Sequence, residues 1–174
     1  MNLVLIGYRG TGKSVIAHRL GHLLHLPTVS LDSEIVRVAG QRIPDLVAEH
    51  GWVYFRDLEE QICRRFAGQD GQILDCGGGV VEREANVAAL REHGRVFWLR
   101  ASTAAIVARI GGDNNRPSLT GAKSFTDEVS EVLDRRTPLY QGMAHQVIDT
   151  DGRGLDDITA EIARRWSDSI QSAG

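Results

Sequence analysis

The sequence predicts an α/β fold: a five-stranded parallel sheet covered by helices on both faces, three layers in all. Three observations predict it. The chain opens on an uninterrupted apolar run, Leu3-Val4-Leu5-Ile6, the pattern of a parallel strand buried on both sides. Further short apolar segments alternate with stretches whose apolar residues recur at helical spacing, as in strands joined by helical crossovers. The chain is 174 residues long, 42% hydrophobic and 25% charged, which fits one soluble globular domain spanning residues 1–174.

Taken in order, residues 3–6 read as the first and central strand. A glycine-rich turn covers 7–12, and Val15, Ile16, Leu20, Leu23 and Leu24 then mark a helix that stops before Pro27. Residues 28–31, 72–76, 95–99 and 145–148 are the other four strands. Helices are expected at 33–39, 43–50, 53–67, 85–93, 104–110, 126–136 and 155–167. The segment 111–124, rich in Gly, Asn and Pro and too long for a routine connection, reads as a mobile lid.

A net charge of −3 argues against a general nucleic-acid or anionic-membrane binder and points to a small partner, and a monomer is expected. Lys13 and Lys123 are the only lysines, so nearly all positive charge is arginine, suited to forked contacts with carboxylates and phosphates. Cys63 and Cys76 are too few for a disulfide framework or a four-thiolate zinc site and read as two buried thiols in a reducing compartment. The apolar start meets Gly7 with no basic region before it and no stretch long enough to span a membrane, so a cytoplasmic protein is expected. His18, His22 and His25 recur at helical spacing, but they lie off the apolar stripe and no carboxylate joins them, so a wet helix face is expected.

Gly7-Tyr8-Arg9-Gly10-Thr11-Gly12-Lys13-Ser14 fits G-x-x-x-x-G-K-[ST] and sits between an apolar strand and a helix, where a phosphate cradle must be. Backbone N–H groups of Gly10, Thr11, Gly12, Lys13, Ser14 and Val15 would wrap the phosphates of ATP at the positive end of the helix. Lys13 would reach the terminal phosphates, and the Ser14 hydroxyl would face Mg2+. This is a P-loop, and it implies a P-loop NTPase three-layer fold.

Five further motifs are spread along the chain: Asp32, Gly40 and Ile43; Phe55-Arg56-Asp57-Leu58-Glu59; Gly77-Gly78-Gly79; Arg116-Pro117; and Arg136-Thr137-Pro138-Leu139-Tyr140. In this order the chain resembles the shikimate kinases, within the nucleoside-monophosphate-kinase-like branch of P-loop folds, over nearly its whole length. The resemblance implies transfer of the ATP γ-phosphoryl group to the 3-hydroxyl of shikimate, with magnesium. It assigns Asp32 to orienting that hydroxyl and accepting its proton, although Asp32 alone also reads as a helix N-cap. Arg56 and Arg136 would hold the substrate carboxylate, with Glu59 steadying Arg56, although Arg56 alone also reads as a surface ion pair with Glu59 and Arg136 as a solvated cation near a helix end. Gly78 and Gly79 would let the substrate approach the backbone. Arg116 would face the transferring phosphate from the lid, with Arg109 beside the adenine and Arg153 lining the base pocket.

Three positions depart from the family pattern. Ser30 stands where the first carboxylate of an Asp-x-Asp pair is usual, so a carboxylate of the magnesium shell is missing from that strand. Asp75 ends an apolar strand as a Walker B aspartate does, and it is expected to replace that carboxylate; the plainer reading is a cap on the glycine turn. Val36 replaces a usual glutamate, and Trp52 follows Gly51 where Gly-Glu is usual. These changes keep open a related kinase for another small hydroxy acid or polyol, and a silent nucleotide-binding regulator is the second alternative.

Overall fold

Burial on both faces of the first strand organises the structure, a computed structural model that describes residues 1–110 and 125–171. Strand β1 (Asn2–Ile6) lies at the centre of a five-stranded sheet in which the sequential strands are ordered 2-3-1-4-5. The others are β2 (Thr28–Ser30), β3 (Ile73–Asp75), β4 (Gly94–Arg100) and β5 (Gln146–Asp149), and every pairing is parallel. The helices are α1 (Lys13–Leu24), α2 (Leu31–Ala39), α3 (Ile43–Ala67), α4 (Glu84–His93), α5 (Thr103–Ile110), α6 (Phe125–Met143) and α7 (Leu155–Gln171).

The alternation of side chains along β1 divides the core in two. Leu3 and Leu5 pack with Ile16 and Leu20 of α1 and with Ile158, Ile162 and Trp166 of α7. Val4 and Ile6 pack on the opposite side with residues of α2, α3, α4 and α6, among them Ile35, Phe55, Leu90 and Tyr140. These are the three layers the sequence predicts. Phe97 and Trp98 of β4 are buried, one in each core, and both thiols, Cys63 and Cys76, are free and buried. The ring nitrogens of His18 and His22 meet at 3.2 Å on an exposed face of α1. No described helix is long and apolar enough to cross a membrane.

Several element boundaries differ from expectation, each for a local reason. Leu31 opens α2 rather than ending β2, because the Ser30 side chain accepts the Ser33 N–H at 3.3 Å and caps the helix. Ser30, not Asp32, is therefore the N-cap, and Asp32 lies in the first turn. The two helices expected at 43–50 and 53–67 are the two halves of α3, interrupted at Gly51 with φ 82° and ψ 170°, a backbone conformation for which glycine is suited. Helix α6 runs through Pro138 to Met143, so Arg136 is mid-helical rather than near a helix end. Tyr140 and Met143, both buried, anchor the turn beyond the proline and offset its missing donor. A short 3-10 turn, Val80–Glu82, was not expected. The segment 111–124, read as a lid, lies outside the described residues.

Tyr140 joins α6 to the turn after β3. Its ring stacks on Trp98 at 5.7 Å between centroids, and its hydroxyl donates to the Gly78 carbonyl at 2.5 Å. Tyr140→Phe leaves the packing but removes the bond, with an expected cost of about 1 kcal/mol. By calorimetry the Tm falls by about 2–4 °C; an unchanged Tm means that the hydroxyl contributes nothing to the fold.

Candidate active site

All parallel strands end at one edge of the sheet, and the candidate residues gather there. Beyond β1 the chain turns through Gly10 (φ 79°) and Gly12 (φ 90°), positive angles that open the P-loop and deliver it into α1. Lys13 folds back over the loop, its ammonium donating to the Tyr8 carbonyl at 2.9 Å, and the Thr11 hydroxyl donates to the same carbonyl at 2.8 Å. Ser14 and Val15 stand exposed on the first turn of α1. An opening of about 190 Å³ adjoins the loop, lined by Tyr8, Thr11, Trp98, Ile106, Leu133 and Thr137.

Three charges converge under the loop. Lys13 is 9% exposed, and burial pulls its pKa down against the opposing fields of Asp75 and Asp32. Asp75 is 5% exposed at the end of β3 and accepts the Ser14 hydroxyl; burial raises its pKa, while Ser14 and Lys13 act the other way. The Asp75 carboxylate thus faces the P-loop serine. In the sheet register Asp75 pairs with Ser30, so a carboxylate sits one strand away from the position where the sequence lacks one. Asp32 reaches solvent but lies in a crowded cleft, and its pKa is raised by desolvation, with Lys13 and Arg56 opposing and Asp75 adding to the rise.

The oxygen donors here suit a magnesium ion. Ser14 and Asp75 are hard ligands already in contact, and the described residues contain no group of three His, Cys, Asp or Glu side chains for an all-protein cage. Magnesium ordinarily takes one or two protein oxygens plus phosphates and water, so the pair fits it.

The glycine triplet clears space for charged side chains. A Cβ on Gly77 would lie 2.5 Å from Asp32 Oδ1, and one on Gly79 would overlap the Arg56 guanidinium. The room at those two glycines is therefore filled by the protein's own carboxylate and guanidinium. Gly78 differs, being only half-buried, with Arg136 Nη1 3.6 Å from where its Cβ would be.

Arg56 comes from α3 and Arg136 from α6. Arg56 does pair with Glu59, but away from the surface: its side chain is 13% exposed, and Nη1 bonds Glu59 Oε2 at 2.6 Å, with Glu59 itself 2% exposed. Arg136 is 14% exposed and also bonds the Tyr140 hydroxyl. Sequence reasoning missed Glu82, the last residue of the 3-10 turn, which contacts both arginines at 3.1 Å and 2.8 Å. An acidic residue three positions after the triplet was the available signal. Trp52 and Phe55 flank the same guanidinium, with Arg56 Cζ 5.7 Å and 5.1 Å from their ring centres. Val36 is 36% exposed on α2 and enters none of these contacts.

On the far side of the P-loop, Arg109 of α5 donates to the Gly10 carbonyl at 3.3 Å and to the Thr150 hydroxyl and carbonyl at 3.1 and 3.0 Å. Arg153 donates to the Asp149 carbonyl at 3.0 Å and pairs with Glu161 at 2.6 Å. Both arginines thus border the turn after β5, beside the loop. Arg116 lies outside the described residues.

Known proteins resemble this chain along nearly its whole length. A family model described as shikimate kinase matches residues 9–167. A shikimate kinase of Rhodopirellula baltica is 39% identical over 176 residues, covering 99% of this chain and 94% of the relative. One of Pseudomonas fluorescens is 40% identical over 164 residues, covering 94% and 95%. Among solved structures, the shikimate kinase from Acinetobacter baumannii in complex with shikimate matches with a TM-score of 0.85 at 28% identity, over 99% of this chain and 93% of that one. A P-loop with its lysine buried between two aspartates, two arginines meeting over a glycine triplet, and likeness along nearly the full length lead to one conclusion: the chain belongs to the shikimate kinase family.

Proposed function

We propose that the chain transfers the γ-phosphoryl group of ATP to the 3-hydroxyl of shikimate, giving shikimate 3-phosphate on the route to aromatic amino acids. The observation that carries this reading is the meeting of Arg56 and Arg136 at the glycine triplet, Arg56 against Gly79 and Arg136 against Gly78, next to Asp32 and the P-loop. Two guanidinium forks from separate helices suit a carboxylate. Asp32, one glycine away, is placed to orient the acceptor hydroxyl and take its proton. P-loop amides, Lys13 and, from the segment 111–124, Arg116 neutralise charge on the transferring group. Ser14 and Asp75 would hold the magnesium ion, which when bound offsets phosphate charge. Arg109 and Arg153 border the adenine. We read the 174 residues as one catalytic domain acting as a monomer in the cytoplasm, with 111–124 as its lid and no nucleic acid or membrane among its partners.

The first test is ADP release with Mg-ATP in the presence and absence of shikimate, with quinate and sugar acids as competing acceptors. Shikimate-dependent release is expected; ATP binding without it favours the silent regulator, and preference for another acceptor favours a related kinase. The base must be ionised, and the pKa of Asp32 is raised, so kcat/KM falls toward acid pH with an apparent pKa above the ordinary aspartate range. Asp32→Asn lowers kcat by about 10²–10⁴-fold.

Asp75→Asn sharply raises the magnesium concentration needed for half-maximal rate, and adding Ser30→Asp in that background lowers it again. Unchanged magnesium dependence removes Asp75 from the metal shell. Gly79→Ala displaces the Arg56 guanidinium and raises the KM for shikimate by about tenfold, with the KM for ATP unmoved.

A further inference from the structure

The carboxylate of Glu82 spans the two arginines that the proposed function assigns to the substrate. Oε2 lies 3.1 Å from Arg56 Nη2, and Oε1 lies 2.8 Å from Arg136 Nε. Arg56 Nη1 is held by Glu59 at 2.6 Å, so both amino groups of its fork face protein carboxylates. A substrate carboxylate engaging Arg56 and Arg136 together would meet the contacts that Glu82 already makes.

We propose that Glu82 is an internal stand-in for the substrate carboxylate, occupying the arginine pair in the free enzyme and yielding it when the acceptor binds. The inference rests on the function proposed above and adds a residue that sets acceptor affinity. Its physical basis is charge. Glu59 matches only one of the two charges, so without Glu82 the two guanidinium groups, only about one-seventh exposed, would lack a second counterion in a partly dehydrated cleft. Glu82 supplies that counterion. It remains ionised, because partial burial raises its pKa but Arg136, Arg56 and Arg135 together bring it below the ordinary glutamate range.

The position of Glu82 also provides an exit. Its side chain is 25% exposed, and Oε1 is shared with Arg135, itself 64% exposed, at 2.8 Å. Rotation toward Arg135 releases Arg56 and Arg136 while keeping one ion pair. Glu59 has no such freedom at 2% exposure, so it stays on Arg56 and steadies it throughout. The two glutamates thus divide the work: one fixes the guanidinium and the other vacates it. A weak monovalent anion does not displace a tethered carboxylate, whereas an acceptor that adds contacts from its hydroxyls and ring does. Glu82 therefore trades affinity for selectivity at the carboxylate end of the cleft.

The test uses the whole enzyme and its Glu82→Gln and Glu82→Ala variants, with steady-state kinetics and calorimetric titration of shikimate in the presence of ADP. The expected result is a fall of about tenfold in both KM and Kd for shikimate in the two variants. An acceptor whose carboxylate is replaced by hydroxymethyl should gain nothing from either substitution. A rise in KM and Kd makes Glu82 a positioning residue and overturns the proposal, as does an unchanged value. An equal gain for the carboxylate-free acceptor overturns it too. Absence of shikimate-dependent ADP release and of shikimate binding in the unaltered protein instead overturns the proposed function, a result distinct from failure in the variants alone.

Discussion

Lys13 is the interaction on which the rest of the site depends. A lysine buried at the carboxyl edge of a sheet carries a desolvation cost, and the structure meets it with two carboxylates, Asp75 and Asp32, and the Tyr8 carbonyl. Each partner is delivered by a different element: β3, the first turn of α2 and the P-loop. Parallel order 2-3-1-4-5 makes this possible, because it sets β3 beside β1 and β2 beside β3, so that their carboxyl ends open on one cleft. The double burial of β1 is thus the foundation of the chemistry as well as of the fold.

Around that centre, small residues are placed for the benefit of charged neighbours. Gly77 and Gly79 have no strained backbone requirement; what they supply is volume, one for Asp32 and one for Arg56. The intervening Gly78 is held by Tyr140 and stays accessible. Carboxylates and guanidiniums interleave through the cleft, from Asp75 and Lys13 to Asp32, Arg56, Glu59, Glu82 and Arg136. Such alternation lets each charge be dehydrated while still paired, which is what a water-excluding transfer site requires.

Much of this was legible in the sequence, for physical reasons. The unbroken run Leu3–Ile6 is incompatible with a half-exposed strand, and the P-loop spacing leaves the chain little freedom at the start of α1. Asp75 was legible because a carboxylate ending an apolar strand has a cost that must be met. Boundaries were less so: Asp32 reads as the helix cap that Ser30 in fact provides, since either side chain can accept the N–H groups of a first turn, and Pro138 reads as a stop until the burial of Tyr140 and Met143 beyond it is known. Glu82 was not legible. Its contacts are with side chains 26 positions upstream and 54 downstream, which only the folded chain brings together.

The register pairing of Ser30 with Asp75 has a consequence for how this site can change over time. Serine and aspartate are comparable helix caps, so α2 places little demand on which of the two occupies position 30. A carboxylate can therefore migrate across the sheet in two single-residue steps, through an intermediate carrying one on each strand, with no shift of backbone and no interruption of the helix. The sheet provides neighbouring sockets for the same charge, and under the metal role proposed for Asp75 a position-by-position sequence comparison registers a loss where only the strand that bears the carboxylate differs.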